Sequence, residues 1–173
     1  NLIGPRDPLS SSAGTYFNYG ALVNARAVLQ GLENVSGMTE AEKEGVRGWT
    51  KTVMAFAYYQ TAQNYPEFGA PIDAPLSPTG ALMSIASPDE LYARALTLFD
   101  EPGSHLGGAG ATFAFQLTPG FAGFNTPATF LRVNRALKAR TLKYMGRWQD
   151  ALTALGQSFL DPNGAMTLGA YHT

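Results

Sequence analysis

"NRALKARTLKYMGRWQDALTALGQSFLDP", Asn134 to Pro162, decides the fold class, because two helical patterns meet in it at Gly146-Arg147. Phe130, Val133, Leu137 and Tyr144 recur at helical spacing before the junction, and Trp148, Ala151, Leu152, Leu155 and Phe159 recur after it. Such a period defines one apolar stripe per helix, expected to face inward. Ala139 and Ala151 are small enough for the two backbones to approach, and Gly146 permits the tight reversal between them. The reading is a helical hairpin.

The chain upstream repeats the same grammar. Tyr19, Leu22, Ala25, Leu29 and Leu32 predict a first helix over about Tyr16 to Glu33. Thr39 and Glu42 have the spacing of a capping box, with Val46, Trp49, Val53, Phe56 and Ala57 as the stripe of a second helix ending near Asn64, before Pro66. Ser87, Pro88 and Glu90 start a third helix, with Leu91, Ala95 and Leu98 behind them and Pro102 closing it. Thr126 and Pro127 restart the chain as a fourth helix, and the hairpin supplies the fifth. Two long connections are dense in glycine and proline. The second shows one regular signal, alternation at Phe113, Phe115 and Leu117, which predicts a short strand. The expected architecture is all-α, five principal helices packed as antiparallel neighbours, in a single domain over residues 1–173.

Composition narrows the function. Charged residues make up 14% of the 173 residues and the net charge is -1, against about 25% charged in an average domain. No basic field is available for a phosphate backbone, so nucleic acid is not an expected ligand. The absence of cysteine removes disulfides, thiolate catalysis and cysteine-ligated metals. No apolar run approaches the roughly 20 residues of a membrane-spanning helix. His105, in a glycine-rich stretch, and His172 show no ligand spacing and read as solvated loop histidines. "GGAG" at Gly107 to Gly110 lacks the lysine and hydroxyl of a phosphate loop. Asp73, Asp89, Glu90, Asp100 and Glu101 form no recognisable catalytic pair, and Ser87, Asp89 and Glu90 are explained by capping. Asn34-Val35-Ser36 is a formal glycosylation sequon with meaning only in a eukaryotic secretory setting. No enzyme activity and no cofactor are expected.

The spacing Gly146-Arg147-Trp148-Gln149-Asp150-Ala151-Leu152 resembles the turn and second helix of a tetratricopeptide repeat. No second copy at a period of about 34 residues accompanies it, so a plain hairpin describes the segment equally well. A broader pattern resembles the SusD/RagB family of outer-membrane nutrient-binding lipoproteins. "YGALVNARAVLQGL" is similar to that family's early helix, and "GVRGWTKTVMAFAYYQTAQNYPEFGAPID" to its long helix with a Tyr65, Gly69, Pro71 exit. "SPDELYARALTLFDE" is similar to the next helix, and "FLRVNRALKARTLKYMGRWQDAL" to the segment built on Asn134, Leu137 and Arg140.

The resemblance implies the tetratricopeptide-like helical half of a longer SusD-like protein, or a reduced relative of one. It further implies an extracytoplasmic place at the outer membrane or in the periplasm of a Gram-negative bacterium. The implied function is capture of an oligosaccharide or peptide nutrient and docking on a TonB-dependent transporter. The alternative is a structural accessory subunit of a membrane-protein assembly that binds no nutrient. Phe121 and Phe124, between glycines, are the candidate ligand-binding aromatics, with covering of the helical core as their competing role. Trp49, Trp148, Tyr58 and Tyr59 read as buried. Arg26, Arg132, Arg135 and Arg140 are expected to bridge loops and helix ends. Lys138, Lys143, Arg147 and Gln149 fall off the apolar stripes and are the candidate partner-docking residues.

Overall fold

The computed structural model describes residues 8–72, 84–165 and 167–170. Helices dominate it: α1 (Pro8–Leu32), α2 (Glu40–Asn64), α3 (Pro88–Asp100), α4 (Pro102–Gly108), α5 (Pro127–Tyr144) and α6 (Trp148–Gly156). A two-residue antiparallel pair, β1 (Ala70–Pro71) with β2 (Ile85–Ala86), and a 3-10 turn at Pro119–Phe121 complete the regular structure among the described residues. The all-α expectation holds. Asp73 and His172 lie outside the described residues.

Helix starts follow local chemistry. The Thr39 hydroxyl accepts from the Glu42 amide at 3.3 Å, and the Glu42 carboxylate accepts from the Thr39 amide at 2.7 Å. Ser87 and Glu90 repeat this box with the same two distances. At α5 a threonine takes the place of the acid: Thr126 accepts from the Thr129 amide at 3.2 Å, and Thr129 from the Thr126 amide at 3.1 Å. Each box satisfies amides that a helix start otherwise leaves without partners. The end of α5 is equally specific. Gly146 has φ of 71°, its amide donates to Lys143 O at 3.1 Å, and the Arg147 amide donates to Leu142 O at 3.0 Å. These two bonds define a Schellman termination, which needs a left-handed residue at the glycine position.

The long helix α2 is the hub, packed against α1, α3, α4 and α5. Its burial therefore departs from a single stripe. Gly45, Gly48, Thr50, Thr52, Met54, Tyr58, Tyr59 and Thr61 are buried, whereas Val46, Trp49, Val53 and Phe56 are only half-buried. Thr52 and Thr61 solve the polar problem by donating back to Gly48 O and Ala57 O at 2.9 and 2.8 Å. Three apolar clusters share the interior. Leu22, Tyr58, Leu91 and Phe99 centre the first; Leu96, Ala139, Leu142, Ala151 and Ala154 join α3 to the hairpin; Leu106, Phe124, Phe130 and Val133 form the third.

Several expectations are corrected. The first helix begins at Pro8, not Tyr16. Pro102 closes α3 as expected, but the chain does not then become a loop: Pro102 sits at the first position of a new helix, α4, a site proline tolerates because its missing amide would have no partner there. His105, Gly107 and Gly108 are consequently helical. Residues Phe113 to Leu117 form no strand. Their rings act as a lid instead, with Phe113 5.8 Å from Phe130 and Phe115 5.6 Å from Trp49.

Candidate docking surface

The α5–α6 hairpin turns one edge inward and leaves the other open. Ala139, Leu142, Ala151 and Ala154 pack against Leu96 of α3. Tyr144 is 52% exposed, and Trp148 and Leu152 are each 62% exposed. These three were expected to face the core. Periodicity marks an apolar stripe on α6, but the short helix packs chiefly on α5, with Leu96 of α3 beneath Ala151 and Ala154, and part of the stripe stays exposed. The result is a groove of about 480 Å³ with Ala136, Ala139 and Ala151 beneath it and Tyr144, Trp148, Leu152 and Leu155 as its walls. Its charged residues are Arg140 and Lys143.

The Tyr144 wall is tied to the core. Its ring lies 5.7 Å from that of Tyr59, which in turn sits 5.9 Å from Phe56 and 6.4 Å from Tyr92. Burial pushes the Tyr59 hydroxyl up to about 12 against the opposing pull of Arg140. The Tyr144 hydroxyl moves the other way, below the usual phenol range, through its hydrogen bond with Gln63, aided by the Lys143 charge. Lys143 Nζ stands 5.4 Å from the Tyr144 ring centroid. The open edge is therefore both aromatic and locally cationic.

Of the four residues expected to dock a partner, Lys143 borders this groove. Lys138 is corrected: it is mostly covered and pairs with Asp100 of α3 at 2.5 Å. Arg147 is exposed but pairs with Asp150 at 2.6 Å. Gln149 is exposed on α6. Lys138, Arg147, Asp100 and Asp150 line a separate depression in which the charges cancel pairwise. Arg135 does bridge a helix end, donating to Phe99 O at 3.0 Å.

Phe121 and Phe124 both pack on the third apolar cluster, and Phe124 also borders a surface depression with Phe159 and Leu168. Phe124 is 7% exposed with its ring 4.9 Å from Phe159, and Phe121 packs 5.8 Å from Phe130. Both rings thus cover the helical core, the competing role expected for them. Tyr58 and Tyr59 are buried as expected, and Trp49 is half-buried.

His105 is not a solvated loop histidine. Its Nε2 lies 2.8 Å from Lys51 Nζ and its Nδ1 2.6 Å from Glu44 Oε2. An ammonium can only donate, so Nε2 accepts and the ring proton stays on Nδ1, facing Glu44. Lys51 also pairs with Glu101 at 2.6 Å. Arg47 collects Glu33, Glu40 and Glu44. This chain of charges staples α4 and the end of α1 onto α2, with each member engaged by another. Glu44 illustrates the balance: burial raises its carboxyl, but hydrogen bonds from His105 and Arg47 outweigh that and hold it below the ordinary range. No signal in the sequence could have found the pairing, because His105 and Glu44 are far apart in the chain and meet only through the packing of α4.

Among the described residues, no cluster of His, Asp or Glu could hold a metal ion. None of their helices is long and apolar enough to cross a membrane. The fold and this surface define a helical protein with an open aromatic groove. No protein-family model matches the chain, and no curated protein or solved structure is significantly similar to it.

Proposed function

We propose that the chain is the helical part of a SusD-like surface protein, acting by docking on a TonB-dependent outer-membrane transporter rather than by catalysis. The observation that carries the reading is the uncovered face of the α5–α6 hairpin, where Tyr144, Trp148 and Leu152 are each more than half exposed. Clustered apolar exposure of this kind marks an interaction surface. The order of elements lends support, since the four family-like stretches fall on α1, α2, α3 and the α5–α6 pair. Capture of an oligosaccharide or peptide is the activity such docking serves, at the outer membrane or in the periplasm. The packing of Phe121 and Phe124 on the third apolar cluster favours a second reading, a structural accessory subunit with no nutrient of its own. Mild-detergent purification of the native protein tests the first: a β-barrel transporter should co-purify, and Leu152→Glu should release it. Isolation without any barrel partner refutes that reading. Calorimetric titration with oligosaccharides and peptides separates the two.

A further inference from the structure

We infer that the α5–α6 groove is built for one amphipathic helix of a partner whose apolar stripe is flanked by acidic residues. Ala136, Ala139 and Ala151 form a shallow floor that lets a third backbone lie close, while Trp148 and Leu152 stand beside it as unfilled apolar contacts. A helix laid in such a groove inserts side chains at positions i, i+4 and i+7 between those walls. The Tyr144 wall is held by Tyr59, so little ordering is needed on binding.

Charge then selects the occupant. The ionic side chains lining the groove are Arg140 and Lys143, both exposed cations, with no carboxylate among the described residues that line it. A second copy of this chain fits poorly, because a twofold interface places the same patch against itself and would oppose these cations across the axis. Glutamates or aspartates along the flanks of an incoming helix would pair with them instead. The inference uses the same open face as the docking reading but does not require the transporter.

The probe is a synthetic helical peptide of about 15 residues with leucines at i, i+4 and i+7 flanked by glutamates, compared with an otherwise identical peptide flanked by lysines. Trp148 emission is the readout, with Trp148→Phe identifying its signal against Trp49. The acidic peptide should give a saturable blue shift and bind about tenfold or more tightly than the basic one. Its affinity should weaken in about 0.5 M NaCl. Leu152→Glu should abolish the response with unchanged helical circular dichroism, and the double variant Arg140→Ala, Lys143→Ala should erase the preference between peptides while leaving an apolar residue of binding. Equal binding of both peptides to the native protein, or of neither, overturns the inference. So does a response to a neutral oligosaccharide alone, or a concentration-dependent dimer that Leu152→Glu dissolves. Peptide binding without a co-purifying barrel defeats only the transporter reading; the reverse defeats only the acidic-helix inference.

Discussion

Gly146 and Gly69 have nearly the same backbone angle, φ of 71° and 66°, in opposite surroundings, and this pair permits strain and clash to be measured separately. A Cβ placed on Gly146 meets nothing within 4 Å. Substitution there costs only what an L-residue loses in the left-handed region, about 1–2 kcal/mol, less about 0.4–1 kcal/mol regained by restricting the unfolded chain. Gly146→Ala should therefore lose about 1 kcal/mol, Gly146→Val about 2 kcal/mol because its branched side chain tolerates φ > 0 worst, and Gly146→Asn the least. With a urea slope of about 2 kcal/mol/M, the midpoints fall by about 0.5 M for alanine and about 1 M for valine. At Gly69 the Cβ would lie 1.8 Å from Ala86 O. No rotamer avoids that atom, so asparagine should be as damaging as alanine, and both should open the β1–β2 pair. Urea titrations followed by circular dichroism, with amide exchange at Ala70 and Ala86, read both outcomes. A valine at 146 as stable as glycine, or an asparagine that rescues position 69, refutes the reasoning.

Further predictions concern polar groups in the core and at helix starts. Asn134 is fully buried, its Nδ2 donates to Thr52 Oγ1 at 2.9 Å, and its Oδ1 has no partner among the described residues; Asn134→Leu should be neutral or stabilising by thermal melting, whereas Asn134→Ala should lose about 2 kcal/mol or more through its cavity. Ser87→Ala should cost about 1 kcal/mol by removing the α3 cap, and a cost near zero would remove that assignment. Glu44 is held below the ordinary carboxyl value of 4.5 in the folded protein, so its contribution is complete above that pH and declines as pH falls through the lowered value. Acid titration of Glu44→Gln should show a shallower loss of stability below pH 4.5 than the wild type; parallel curves would exclude this role.

What the sequence made legible was whatever a few adjacent residues decide among themselves. The Thr39, Ser87 and Thr126 caps and the Gly146 turn are closed by bonds spanning three to five residues, so spacing alone exposed them. α4 was hidden because its proline and glycines argue against a helix locally. It is held by Leu106 in the third apolar cluster and by the His105 pairs with Glu44 and Lys51. A hydrophobic period also states that a face is apolar without stating that anything covers it. The period places Trp148 and Leu152 inward for that reason, so that of the groove's lining only Lys143 stands among the docking residues expected from the sequence. The threonines of α2 escaped notice because a helix surrounded by neighbours buries polar positions as well as its stripe.

The pairing of Pro71 with Ile85 has a consequence for how this chain tolerates change. The Tyr19 hydroxyl holds Pro71 O and the Tyr58 hydroxyl holds Ile72 O, while the Ser87 box fixes the chain again just past β2. The backbone at β1 and the backbone at β2 are thus neighbours, each fastened independently to the helical body. Lengthening a connection between such points costs only about 0.6 kcal/mol per doubling. An insertion between these two fastened points should accordingly leave the register of α2 against α3 unchanged.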